Sequence, residues 1–164
     1  MKWNIKSFVK ELLIGALLLF IFTNIISYLR KPELSSTQLP KLHVTLLDGS
    51  SYQSRKGKAL VVHFWATWCP ACKLEASNIE AISKEYEVLT IAVNSGNDAQ
   101  IKAYMANKGL SFHVVNDSHG VLAKQFHVEA YPTTFIYNAQ GELQFTEVGY
   151  TSTAGLLARV KLAE

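Results

Sequence analysis

The segment that most limits what this chain can fold into runs from Ala59 to Cys72. There ALVVHFW, an almost wholly apolar run rich in β-branched and aromatic residues, leads through Ala66-Thr67-Trp68 into Cys69-Pro70-Ala71-Cys72. A short run of this composition reads as a strand buried on both faces, which belongs in the middle of a sheet. Beyond Pro70, Leu74, Ala76, Ile79, Ile82 and Tyr86 recur near helical spacing, so a helix reaching about residue 86 follows the strand directly. The two cysteines therefore sit at a strand-to-helix junction.

The rest of the C-terminal part alternates in the same way. Residues 42–47 and 50–53 around Asp48-Gly49 read as a short hairpin. A second buried strand is expected over 88–93 and a helix over 98–108 with Gly109 as its stop signal. A short strand (112–115), a short helix (119–126), a strand (133–137), a turn (138–141), a strand (143–148) and a last helix (152–162) complete the order. The expectation is an α/β sandwich whose first two buried strands are parallel and whose last two strands form an antiparallel pair.

The N-terminal part is different in kind. Residues 12–29 (LLIGALLLFIFTNIISYL) carry no charge and as a helix extend about 27 Å, close to a hydrocarbon core. The run is longer than the apolar part of a cleavable signal and ends in Tyr28-Leu29-Arg30-Lys31 rather than in small residues. It reads as an uncleaved signal anchor, with 1–11 as a cytoplasmic segment. Lys2, Lys6 and Lys10 precede it, and the positive-inside rule narrowly puts the remainder of the chain outside the cytoplasm. Residues 30–40, containing PELSSTQLP, read as a tether, and 41–164 as the folded domain. The net charge of +3 is local: residues 1–31 hold five Lys/Arg and one Glu, and the remainder has 11 basic against 12 acidic residues. A nearly neutral domain gives no sign of a nucleic-acid partner. Two cysteines are also too few for a disulfide-stapled scaffold or a four-thiolate zinc site.

The cysteine spacing carries the chemistry. A thiol at a helix N-terminus faces unpaired N–H groups and the positive end of the helix dipole, which favours thiolate. Cys69 is thus the expected exposed, attacking sulfur, and Cys72, a turn further in, the shielded resolving one. Pro70 occupies the first turn, where its missing N–H costs nothing.

Phe64-Trp65-Ala66-Thr67-Trp68-Cys69-Pro70-Ala71-Cys72, Glu75 three residues on, Tyr131-Pro132-Thr133-Thr134-Phe135 and Gly149 together resemble the thioredoxin superfamily. The likeness is to its membrane-tethered branch, the TlpA, ResA and CcmG class of thiol-disulfide oxidoreductases, and within it to ScsD-type proteins associated with suppression of copper sensitivity. The resemblance implies a thioredoxin-like central mixed sheet flanked by helices over 41–164, preceded by the transmembrane helix. It implies a cis Pro132 facing the cysteines, and Trp68, Pro70, Tyr131 and Pro132 as client-contacting residues. It also implies that Glu75 influences cysteine protonation, as a repelling charge or a proton shuttle. His63 stands where cytoplasmic thioredoxins carry a buried aspartate. It is either a base for Cys72 near neutral pH or a neutral core residue. Trp65 reads as core, and His43, His113, His119 and His127 as surface residues without metal-ligand spacing.

The functional expectation is a single-pass enzyme of a bacterial inner membrane with its domain in the periplasm. It would reduce disulfides in client proteins, in cytochrome c maturation or copper tolerance, with its own dithiol in place of a cofactor. Electrons would come from a membrane donor of the DsbD or ScsB type. The alternatives are a thiol oxidase on the same fold and a Cu(I)-binding module, since two soft thiolates can hold that ion.

Overall fold

In the computed structural model the backbone is described at residues 5–29, 32, 36–54 and 57–164, and side chains of the first helix at 8–19, 21, 22 and 25. The chain divides into two units, Met1–Lys31 and Pro32–Glu164. In the first, helix α1 covers Ile5–Leu29 and contains the expected span, with Leu12, Leu13, Leu17, Leu18, Leu19 and Phe22 exposed. Among the described residues no helix is long and apolar enough to cross a membrane.

In the second unit every residue of strand β3, Leu60–Trp65, is buried. It needs neighbours on both edges and cover on both faces, and it has both. Here β1 is Val44–Thr45, β2 Ser51–Tyr52, β4 Glu87–Val93, β5 His113–Asp117, β6 Thr133–Tyr137 and β7 Leu143–Val148. The five-stranded sheet runs β5-β4-β3-β6-β7, with β3, β4 and β5 parallel and β6 and β7 antiparallel to their neighbours. Residues on β3 alternate between two cores. Leu60, Val62 and Phe64 pack with Leu89, Ile91, Phe126 and Phe135, and Val61 and Trp65 with Ile79, Ile82, Leu156 and Val160. The Phe64 ring meets Phe135 edge-on at 5.9 Å and Phe126 at 5.1 Å.

Helix α2 spans Pro70–Ser83, α3 Asp98–Lys108, α4 Val121–Gln125 and α5 Thr153–Ala163. Helix α2 stops short of residue 86 because Glu85 and Tyr86 N–H both donate to the Ile82 carbonyl, and the chain unwinds into β4. Helix α3 opens with a reciprocal cap between Asn97 and Gln100 and ends at Gly109, whose φ of 63° suits a residue without a Cβ. The first hairpin is shorter than expected. After the Leu46-to-Ser50 bond closes its turn, Leu47 N–H donates instead to the Val114 carbonyl on β5, at 2.9 Å.

The stretch expected to be tether joins the sheet at its end. Thr37 carbonyl accepts from Leu143 N–H at 2.7 Å, Leu39 N–H donates to Gly141 at 2.8 Å, and Gln38 bridges Glu142. Edge pairing uses backbone groups, so a polar Ser/Thr/Pro segment can supply it without any apolar periodicity. Phe64→Ala should cost about 3–5 kcal/mol of unfolding free energy, since it empties a ring-sized space between Phe126 and Phe135. Urea denaturation of residues 32–164 measures it, and a loss below about 1 kcal/mol would show that this core is not close-packed.

Candidate active site

Strand β3 delivers the chain at Trp65 to a short turn, closed by Cys69 N–H donating to the Ala66 carbonyl at 3.2 Å. Cys69 is then the N-cap of α2, with extended backbone angles (φ −81°, ψ 119°), and Pro70 stands at the first turn. Where a serine or aspartate would ordinarily use oxygen, Cys69 uses sulfur: Cys72 N–H donates to Cys69 Sγ at 3.2 Å. That donor and the helix dipole both favour negative charge on this sulfur. Cys69 and Cys72 form a disulfide with their Cα atoms 5.3 Å apart.

Both cysteines are buried, Cys69 at 4% and Cys72 at 2% exposure, so the expected exposed sulfur is not exposed in the disulfide form. Trp68 is itself 56% exposed. Its indole N–H donates to the Asn94 carbonyl at 3.1 Å, and its ring meets Tyr131 edge-on at 5.7 Å. Tyr131 is half-buried, and burial, with the nearby Asp117, holds its hydroxyl above the usual tyrosine range. The Tyr131–Pro132 peptide is cis. Cys69 Sγ lies 3.5 Å from the Tyr131 carbonyl oxygen, which can accept from the S–H when Cys69 is a thiol. Pro132 carbonyl accepts from Gly149 N–H at 2.8 Å, and Gly149 has φ 92°, a conformation that favours glycine.

Glu75 lies one turn beyond Cys72 and is fully buried. Its Oε1 accepts from Thr151 N–H at 3.0 Å, and its Oε2 has no partner among the described residues. Burial raises its pKa to about 8; the Thr151 N–H opposes the rise and the charge of Glu147 adds to it. Burial favours the protonated carboxyl and the Thr151 N–H the carboxylate, so the group can serve as a proton shuttle and, once ionised, as a charge that repels a thiolate.

His63 is 2% exposed on the face of β3 that also carries Val61 and Trp65, and its Nδ1 is 2.9 Å from the Thr134 hydroxyl. Burial lowers its pKa to about 3. Of the two expected readings of His63, a base for Cys72 or a neutral core residue, burial and the Thr134 hydrogen bond favour the second. Trp65 is core, at 3% exposure, and His43, His113, His119 and His127 are all exposed.

The sequence reading missed three groups. Asn78 Nδ2 donates to the Thr151 carbonyl at 2.9 Å, and its Oδ1 accepts from Thr153 Oγ1 at 3.0 Å. Ser95 Oγ accepts from Thr67 N–H at 3.0 Å and steadies the turn before Cys69. Asn94, with φ 45°, presents the carbonyl that holds Trp68. Asn78 stands three residues after Glu75, on the same helix face, and that spacing was the available signal.

The model of the AhpC/TSA family matches residues 33–146. The chain belongs to that family. It is 29% identical to "Thioredoxin-like protein" of Haemophilus influenzae over 95% of this chain and 97% of that one. It is 31% identical to "Thiol-disulfide oxidoreductase ResA" of Halalkalibacterium halodurans over 63% of this chain and 62% of the relative. Among solved structures it resembles the exposed lipoprotein thioredoxin Etrx1 of Streptococcus pneumoniae, with a TM-score of 0.65 and 28% identity over 75% of this chain and 99% of that one. The fold is thioredoxin-like, and with Cys69 and Cys72 paired at its site the chain is an enzyme of the thiol-disulfide oxidoreductase type.

The two buried titratable groups give opposite pH slopes. Glu75 keeps its proton in the folded state up to about 8 but loses it near 4.5 when unfolded, so stability falls as pH rises through that window. His63 stays neutral in the fold down to about 3 but gains a proton below 6.5 when unfolded, so its contribution is lost as pH falls. Thermal melts of the disulfide form should show stability declining from pH 6.5 to 8, and Glu75→Gln should flatten that limb while leaving the acid limb in place. An identical slope in Glu75→Gln would mean that Glu75 is ionised in the fold.

Proposed function

We propose that this protein is a membrane-anchored, extracytoplasmic oxidoreductase that reduces disulfides in client proteins. The observation that carries the reading is the sulfur N-cap. Cys69 holds the position where a thiolate is best stabilised, and Cys72, one turn inside the helix, is placed to resolve the mixed disulfide. In the reducing direction the Cys69 thiolate attacks a client disulfide, and one client sulfur leaves as thiolate. Cys72 then attacks Cys69 Sγ, releasing the second client thiol and leaving the Cys69–Cys72 disulfide. The two electrons lost by the pair are the two gained by the client. Glu75, whose carboxyl burial brings toward neutral titration, can deliver the proton that this exchange moves when protonated and take it up when ionised. His63 supports Thr134 beneath the site as a neutral hydrogen-bonding group.

Trp68, Tyr131 and Pro132 form the wall that a client strand meets, with Pro70 at its rim. An extended segment seated there pairs through its backbone and tolerates varied side chains. Restoring the dithiol in an oxidising compartment takes electrons from a membrane donor of the DsbD or ScsB type, and clients in cytochrome c maturation or copper tolerance fit that setting. The exposed apolar side chains of α1, with Lys2, Lys6 and Lys10 before them, support an anchor whose N-terminus is cytoplasmic. The name of the pneumococcal relative, an exposed lipoprotein, agrees with a domain held outside the cytoplasm.

Cys72→Ser should accumulate mixed disulfides with clients in cells, visible as bands lost on reduction, whereas Cys69→Ser should trap none. Trapping by Cys69→Ser alone would reverse the roles. Reporters fused after Glu164 should be active only outside the cytoplasm; a fusion active only inside it removes the anchored reading and leaves the chemistry standing.

A further inference from the structure

Helix α2 and the chain entering α5 are tied by three hydrogen bonds, two to the backbone of Thr151 and one to the hydroxyl of Thr153. Thr151 N–H donates to Glu75 Oε1, the Thr151 carbonyl accepts from Asn78 Nδ2, and the Asn78 Oδ1 accepts from Thr153 Oγ1. Glu75 and Asn78 are one turn apart on α2, so between them they hold both backbone polar groups of Thr151. The loop before α5 starts at Gly149, whose N–H holds the Pro132 carbonyl, and Tyr131 before it faces Cys69 Sγ. A hydrogen-bonded ring thus runs from the cysteine pair along α2, across to the loop and back.

We propose that Asn78 is a positioning residue of the redox site: it keeps the Thr151 N–H on the Glu75 carboxyl and through that carboxyl tunes the cysteine pair. The inference rests on the reading of Glu75 as a group that acts on the cysteines. Asn78 itself touches neither sulfur nor client. Its amide is used up in fixing the loop, with its orientation set by the Thr153 hydroxyl, since only the amide donor can meet a carbonyl and only the amide oxygen can meet a hydroxyl proton.

The consequence is electrostatic. The Thr151 N–H is the one described hydrogen bond to the Glu75 carboxyl, and it favours the carboxylate against burial. The charged and titratable groups around Glu75 are Glu147 on β7, paired with Arg159 of α5 at 2.8 Å; neutral His63 on β3; and Cys69, Cys72 and exposed Lys73 on α2. Arg159 is committed to Glu147 and to the Gly155 carbonyl, so the Thr151 N–H is what counters burial at Glu75. Without Asn78 the loop is free to move, that N–H is lost, and Glu75 stays protonated to higher pH. Its negative charge then opposes thiolate formation less.

The test follows thiolate absorbance across pH in the reduced full-length protein for wild type, Asn78→Ala, Glu75→Gln and the double variant. Asn78→Ala should move the thiolate midpoint down by about half a pH unit. Glu75→Gln should move it down at least as far, and the double variant should match Glu75→Gln with no further shift, the signature of one residue acting through the other. A purely structural role for Asn78 would lower the melting temperature and leave the midpoint where it was. Thr153→Val, which removes the hydroxyl that orients the Asn78 amide, should give a smaller shift in the same direction and decides the matter if Asn78→Ala does not fold. A midpoint unmoved in these variants while Glu75→Gln shifts it overturns the role of Asn78 alone. A midpoint unmoved in Glu75→Gln overturns the reading of Glu75 as well, and an Asn78 shift that persists in the Glu75→Gln background shows a route that bypasses the carboxyl.

Discussion

Burial of β3 on both faces is the constraint from which the rest of the molecule follows. A strand with no exposed residue must have partners on both edges, so β4 and β6 flank it, one parallel and one antiparallel. It must also have cover on both faces, so its residues divide between a Phe-rich core under α4 and an aliphatic core under α2 and α5. The chain leaving its C-terminal end then turns straight into α2, and the cysteines fall at the helix start. The position of the sulfurs is a product of packing before it is a matter of chemistry.

Packing also selects the chemistry of the groups under the helix. Both Glu75 and His63 are buried, and burial pushes both toward their neutral forms, the acid by raising its pKa and the base by lowering it. Burial acts on the two groups in the same way, yet the outcomes differ in use. A carboxyl displaced to about 8 comes within range of physiological pH, and an imidazole displaced to about 3 leaves it. The residue type that ordinarily titrates near neutrality is thus silent here, and the one that ordinarily does not is poised.

Much of this was legible in the sequence because it depends on short-range signals. The apolar run of β3, the cysteine spacing, Pro70 at the helix start and the Pro132 segment each announce themselves within a few residues, and the order of strands and helices follows from their alternation. What was not legible depends on contacts between distant segments. The Thr37–Leu39 pairing is made by backbone groups that leave no mark on side-chain pattern. The Asn78 bracket joins positions 73 and 75 residues apart. The behaviour of His63 and the concealment of Cys69 are set by how much water remains around them, a property of the assembled core.

The edge pairing at Thr37–Leu39 has a mechanical consequence. Leu60 at the start of β3 is in register with Tyr137 at the end of β6, so the turn at 138–141 lies at the pole of the sheet opposite the cysteines. Residues 37–39 are therefore fixed at that far pole, about 20 Å of strand away from the helix start. A pull on these residues would be borne by the edge of β7 and the 138–141 turn, in shear along backbone hydrogen bonds, and would stay off the loops that carry Trp68, Pro132 and Gly149.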